Sequence, residues 1–186
     1  GTYLGACQKV TKNDKGDVTG FDYLKLMGYN YVQLQPVFDH HKTYDKDGKL
    51  LYNWGYDPEN YNVPDRQFAA DQKNPVAPIL EIKRMIQAYH EAGIGVIMDV
   101  VYNHTFSIDS VFQKTVPYYF YRQEADGSFS DGSACGNDTA SERRMYRRYM
   151  IDCICYWVKE YHVDGFRFDL MGLHDTETMN EIRAAL

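Results

Sequence analysis

The 186 residues contain no apolar run of the length a bilayer crossing needs and no charged-then-apolar leader segment. A membrane partner is therefore not expected. Positive charge is not in excess either: 20 Lys and Arg stand against 26 Asp and Glu, a net charge of −6, so a nucleic-acid partner is not expected. No Gly-x-Gly-x-x-Gly follows any predicted strand, and there is no phosphate loop, so a nucleotide-binding fold lacks its main signal. The four cysteines, Cys7, Cys135, Cys153 and Cys155, have no metal-ligand spacing. Cys153 and Cys155 fall in a helical pattern, where side chains two apart diverge. They read as small buried hydrophobes, and unpaired thiols lean towards a reducing, cytoplasmic compartment, which is otherwise left open. The chain does not begin with Met; Gly1-Thr2-Tyr3 reads as the start of a processed or excised fragment.

What is present suits one globular domain over residues 1–186, with 44% hydrophobic and 25% charged residues. Seventeen tyrosines can fill a core or stack on flat ligands such as sugar rings. Residues 1–18 read as loop. Thr19 and Asp22 have capping-box spacing before a short helix ended by Gly28. Tyr29–Phe38 reads as a strand, closed by Pro36 and the polar Asp39-His40-His41, whose histidines are expected in solvent. Residues 39–75 form a long excursion, too aromatic to be disordered. Asp45-Lys46-Asp47-Gly48 within it is a turn, its acidic positions stopping too early for an EF-hand.

Pro78 opens a helix with Ile79, Ile82, Met85, Ile86 and Tyr89 on one face, closed by Gly93. Ile94–Val101 is a continuous apolar strand interrupted by Asp99, a pattern of strands buried on both faces in parallel sheets. Residues 105–138 are a second excursion. Asn137–Ser141 reads as a helix start, and Met145, Tyr149, Cys153, Tyr156 and Trp157 mark that helix's inner face to about Tyr161. The Arg143-Arg144 and Arg147-Arg148 pairs read as its solvated face, with a phosphate site as the lesser option. His90 and His162 fall at helix ends and carry no assigned role. A strand from Val163 and a last helix from Thr176 complete an order α-β-α-β-α-β-α. Such alternation predicts parallel strands with right-handed crossovers, in an open doubly wound sheet or part of an (α/β) barrel.

Arg167 and Asp169 are two apart on a strand and so share a face. A cation beside a carboxylate favours its charged form, and such a carboxylate can serve as nucleophile or metal ligand. A buried structural ion pair would look the same. In a barrel, catalytic groups come from the C-terminal strand ends. Tyr56, Asn103, His104, Arg167, Asp169 and His174 all follow or close predicted strands.

Asp99-Val100-Val101-Tyr102-Asn103-His104 and Gly165-Phe166-Arg167-Phe168-Asp169, in this order, resemble the first two motif regions of the α-amylase superfamily of glycoside hydrolases. Tyr52-Asn53-Trp54-Gly55-Tyr56-Asp57-Pro58 resembles the signature of type I pullulanases, the α-1,6 debranching enzymes. Gly136–Glu142 and Phe168–Gly172 are also similar to that group. The resemblance spans essentially the whole chain. It implies an α/β fold in which the three strands are the second to fourth of a (β/α)8 TIM barrel, incomplete in this chain.

The resemblance also implies roles. Asp169 matches the nucleophile of a retaining mechanism. Arg167 matches the residue that fixes it, a guanidinium suited to bidentate donation. His104 matches a ligand of the sugar before the scissile bond, Tyr56 the aromatic platform beneath that sugar, and Asp99 an acid that orients the arginine. Asn103 and His174 are carried over as loop-anchoring and substrate-contacting residues. The implied partner is an α-glucan such as pullulan, limit dextrin or glycogen. No cofactor is required. A structural calcium ion often accompanies this superfamily near Asn103, but no complete ligand set is visible and no metal site is assigned. The family's acid/base Glu, and a later Asp and His, cannot be placed here; Glu177 and Glu181 lie in the outgoing helix. The segment alone is therefore expected to be inactive and poorly stable, needing the remainder of a longer chain. The alternatives are an isoamylase, glycogen-debranching or α-1,4-acting enzyme, and, from another class, a non-catalytic glucan-binding remnant or a structural fragment.

Overall fold

The computed structural model describes residues 1–186. Its centre is a three-stranded parallel sheet in the order β1 (Tyr31–Leu34), β4 (Gly95–Val100), β5 (Gly165–Phe168). α1 (Tyr3–Ala6) and α2 (Gly20–Leu26) precede β1; the β2–β3 pair (Phe38–His40 and Pro58–Pro64) and α3 (Ala77–Glu91) lie between β1 and β4, α4 (Val111–Thr115) and α5 (Arg144–Tyr161) between β4 and β5, and α6 (Thr176–Ala185) comes last. The alternation is thus present, and no helix is long and apolar enough to cross a membrane.

Register sorts the sheet into two faces. Val32, Leu34, Val96, Met98, Val100, Phe166 and Phe168 fall on one; Tyr31, Gln33, Gly95, Ile97, Asp99, Gly165 and Arg167 fall on the other. The first face packs into the core with α3 and α5, and Val96 and Met98 are 0% exposed. The second carries the charged groups, and its Tyr31 remains 58% exposed. A Cβ at Gly95 would meet the Tyr31 ring as it stands.

Pro78 sits in the first turn of α3, where its missing N–H costs nothing. Ile82, Met85, Ile86 and Tyr89 are buried as expected. Ile79 is not; Glu81 is buried instead, because its carboxylate accepts the Ala70 N–H at 2.8 Å. The inner face of α5 keeps Cys153 and Trp157 but is otherwise turned from the expected one. Tyr146, Met150, Cys153, Ile154, Trp157 and Tyr161 are buried, while Met145 and Tyr156 are exposed. Two polar tips select this rotation: Tyr146 Oη donates to the Tyr102 carbonyl at 2.7 Å and Trp157 Nε1 to the Tyr61 carbonyl at 2.9 Å.

Other departures have equally local causes. α5 starts at Arg144 and not in Asn137–Ser141, whose side chains are drawn elsewhere. Asn137 bonds the Thr105 backbone in both directions, and Asp138 accepts from Ser130 Oγ and the Gly132 and Ser133 N–H groups. Burial pushes the Asp138 carboxyl up, but those donors outweigh it and hold the group below the usual carboxylate range. Residues 1–18 are not all loop: Thr2 caps α1, and buried Tyr3 donates to the Val37 and Asp65 carbonyls. Thr19 makes no side-chain cap, and Asp22 accepts from the Val10 N–H. The expected strand Tyr29–Phe38 is two strands broken around Pro36, and the 39–75 excursion holds the β2–β3 pair. The 105–138 excursion holds α4 and two isolated bridges, Tyr121 with Thr139 and Gln123 with Phe129. Asp45 does close a turn, accepting from the Asp47 and Lys49 N–H groups.

His40 is not in solvent. It is 0% exposed, 2.9 Å from the equally buried Asp65, which also takes Lys42 Nζ at 2.6 Å. Arg147 is not a solvated residue either; it bridges Asp175, Glu177 and Glu181 and ties α5 to α6. Only Cys153 among the thiols is fully buried; Cys135 is exposed.

Candidate active site

The expected site residues converge at the C-terminal edge of the parallel sheet. Arg167 and Asp99 are directly paired across β5 and β4. Arg167 Nη1 donates to Asp99 Oδ1 and Oδ2 at 2.9 and 3.0 Å, and to Asp169 Oδ1 at 2.8 Å. One nitrogen therefore serves two carboxylates, and the fork-to-fork pairing suggested by the sequence is absent. The Asp99 side chain is 2% exposed, while that of Arg167 keeps 43% in the open. The charge network is dry on its inner side and open where a substrate would lie.

Tyr56 completes the inner side, donating from Oη to Asp99 Oδ2 at 2.8 Å. Burial, then that hydrogen bond, pushes its hydroxyl up to about 12, so it remains a neutral donor near pH 7. Its loop is shaped locally. Asn53 accepts the Gly55 N–H at 2.9 Å and donates to Asp57 at 2.8 Å. Gly55 has φ +92, and a Cβ there would lie 2.9 Å from the Pro36 carbonyl oxygen. Only glycine lets this loop press against the end of β1.

On the other side stands Asn103. Its Nδ2 donates to the Asp169 carbonyl at 2.9 Å and lies 3.4 Å from Asp169 Oδ2. A carbonyl can only accept, so the amide orientation is set, and Asn103 Oδ1 must accept from His104 Nδ1 at 2.6 Å. Burial pushes His104 below the ordinary imidazole range. Near pH 7 the ring is thus neutral, with its proton on Nδ1. Tyr61 Oη, bonded to the His104 carbonyl at 2.8 Å, holds this segment from behind.

Two features were weaker in the sequence. His174 is 8% exposed, lies edge-on to Phe168, and neither ring nitrogen has a partner; burial pushes it down to about 4. It is not bonded into the Asp99–Arg167–Asp169 network. Leu170, immediately after Asp169, has φ 45, a left-handed conformation costly for a branched residue, so the chain turns sharply past the carboxylate. Both amide atoms of Asn103 are spent within the protein, and no group of three or more His, Cys, Asp or Glu side chains converges anywhere.

Sequence reasoning missed one contact at this edge. His41 and Phe106 stack with ring centroids 3.6 Å apart and planes 6° from parallel. Nothing local could have signalled it, since the partners lie on different excursions.

Comparisons with known proteins agree with the geometry. Residues 7–137 match the family description "Alpha amylase, catalytic domain". A pullulanase of Bacillus subtilis (strain 168) is 42% identical over 180 residues, 96% of this chain and 25% of the relative. The crystal structure of a pullulanase from Paenibacillus barengoltzii, in complex with maltohexaose and α-cyclodextrin, superposes with a TM-score of 0.91 at 49% identity, over 98% of this chain and 29% of that one. A pullulanase from Anoxybacillus sp. LM18-11 gives 0.93 at 46% identity, over 99% and 26%. This chain thus spans roughly a quarter of the length of these relatives. With Asp99, Arg167 and Asp169 gathered at the strand ends and this match over most of its length, the chain belongs to the alpha-amylase catalytic-domain family.

Proposed function

We propose that residues 1–186 are the second to fourth βα units of a TIM barrel in a retaining, α-1,6-specific debranching hydrolase of α-glucans. The excursions at 39–75 and 105–138 are its active-site loops. The observation that carries the reading is the Asp169 carboxylate, held from Oδ1 by Arg167 and approached from Oδ2 only by Asn103 at 3.4 Å. Oδ2 is the oxygen left free to attack. The three relatives named above are pullulanases, which supports the α-1,6 assignment. The maltohexaose in one of those structures supports an α-glucan as ligand.

In this reading Asp169 Oδ2 attacks the sugar C1 as the C1–O bond to the leaving glucan breaks. The leaving oxygen takes a proton from a general acid; water then attacks C1, giving a proton back to that group, and frees Asp169 with net retention. Arg167 orients the nucleophile and stabilises its charge as it departs in the second step. Asp99, neutralised by Arg167 and bonded by Tyr56, positions both; the Tyr56 ring faces the sugar, and His104 bonds a sugar hydroxyl. Asn103 holds the loop around the nucleophile. Asp99 is already committed, and Glu177 and Glu181 are bound to Arg147, so none of these is the acid. The reading assigns that role to a carboxyl group outside these 186 residues, which makes this segment alone inactive.

Product analysis tests the specificity. Pullulan treated with the full-length protein carrying this segment is expected to give maltotriose, the outcome of α-1,6 cleavage. Trisaccharides retaining an α-1,6 bond would mean α-1,4 attack and overturn the debranching assignment.

A further inference from the structure

Beyond Tyr56 and His104, the two site-bearing excursions run out together. Phe106 follows His104 by two positions and Pro58 follows Tyr56 by two, and the Phe106 N–H donates to the Pro58 carbonyl at 3.1 Å. Between these stretches lies a groove of about 220 Å³. Phe106 and Phe112 bring apolar surface to it; Glu59, Asn60, Ser107 and Asp109 bring carboxylates, an amide and a hydroxyl.

The His41–Phe106 stack at this groove is held in place before any ligand arrives. His41 N–H donates to the Asp57 carbonyl at 2.9 Å, and its ring Nδ1 lies 3.0 Å from Glu59 Oε1. Its neighbours on both sides are anchored, His40 and Lys42 each on the buried Asp65 carboxylate. Phe106 nevertheless keeps 40% of its surface open. Rigid aromatic area, at little entropic cost, ringed by small polar groups is the composition of a ligand site and not of a loop that merely packs. Carboxylates on the rim disfavour phosphate or other anions. A neutral polyhydroxylated ring, apolar on its C–H face and hydrogen-bonding at its edge, suits all of these groups. The groove volume is below the ~300 Å³ where drug-sized pockets begin, the scale of a single sugar ring.

We propose that this groove is an outer glucan subsite, in which a further glucose residue of the same chain lies against Phe106 and bonds to Glu59 or Asn60. The inference rests on the α-glucan reading above and extends it. It makes affinity depend on the length of the bound glucan through one side chain.

The test uses the full-length protein with Asp169→Asn, so that ligands persist, and compares maltotriose with maltohexaose by calorimetric titration. Phe106→Ala is expected to reduce the preference for maltohexaose over maltotriose by roughly 3- to 10-fold, the size of one aromatic contact. Phe106→Tyr, which keeps the ring, is expected to preserve it. An unchanged preference in Phe106→Ala, or an equal loss for both ligands, overturns the subsite while leaving the debranching reading intact. A protein without Phe106 changes that binds neither oligosaccharide refutes both.

Discussion

The two faces of the parallel sheet obey different rules. Towards the helices, Val96, Met98 and Val100 interlock with α3 and α5 at 1% exposure or less. Towards the opposite side, the same three strands present Tyr31, Gln33, Asp99 and Arg167, with Asp169 following. The covered face is held by close packing, where a lost methylene costs energy directly. The other is held by directed bonds: Asp99 is dry only because Arg167 and Tyr56 enclose it. One side of the sheet should therefore answer for folding and the other for chemistry, and mutations should separate them.

Trp157→Ala breaks the covered face hardest. Its side chain is fully buried, and its loss also strands the Tyr61 carbonyl. A loss of about 3–5 kcal/mol is expected by urea denaturation. Arg167→Lys should do the reverse. A lysine cannot reproduce a planar nitrogen shared between Asp99 and Asp169, so kcat/KM is expected to fall roughly 100-fold in the full-length protein. Because the arginine side chain is 43% exposed, the accompanying stability change should stay under about 1 kcal/mol. A stability loss as large as that of Trp157→Ala would erase the distinction between the faces.

His174 sharpens the comparison at their junction. Burial lowers its folded pKa from 6.5 to about 4. Between those values the unfolded chain binds the proton and the folded chain does not, so stability rises with pH. The contribution is complete above pH 6.5 and is lost as pH falls towards 4. Lowering the pH from 7.5 to 5 should cost about 2 kcal/mol through this residue alone. His174→Phe should remove that share of the slope; an unaltered slope would mean that the imidazole does not resist protonation.

The parts legible in the sequence are those with short-range periodicity. Ile94–Val101 is a continuous apolar run and forms a central strand. Arg167 and Asp169 are two apart and do share a carboxylate network. What was misread depended on distant partners. His40 looked solvated because Asp65, which buries it, comes 25 positions later. Arg147 looked like part of a free basic face because its three acidic partners lie at the N-cap of α6 and within that helix. Both long helices had the right period; the face of α3 was right except at Ile79 and that of α5 was partly turned, since the buried hydrogen bonds of Glu81, Tyr146 and Trp157 are not encoded in hydrophobicity. At the site, residue types and strand positions could be read. That one guanidinium nitrogen serves both carboxylates, and that Asn103 sets the His104 tautomer, required coordinates.

The central claim is that Asp169 becomes bonded to a glucose C1. A slow fluorinated glucosyl donor, incubated with the full-length protein and followed by proteolysis and mass spectrometry, addresses it directly. The expected result is one added glycosyl group on the peptide carrying Asp169, absent in Asp169→Asn. A sugar attached to any other side chain, with Asp169 unmodified, would contradict the account.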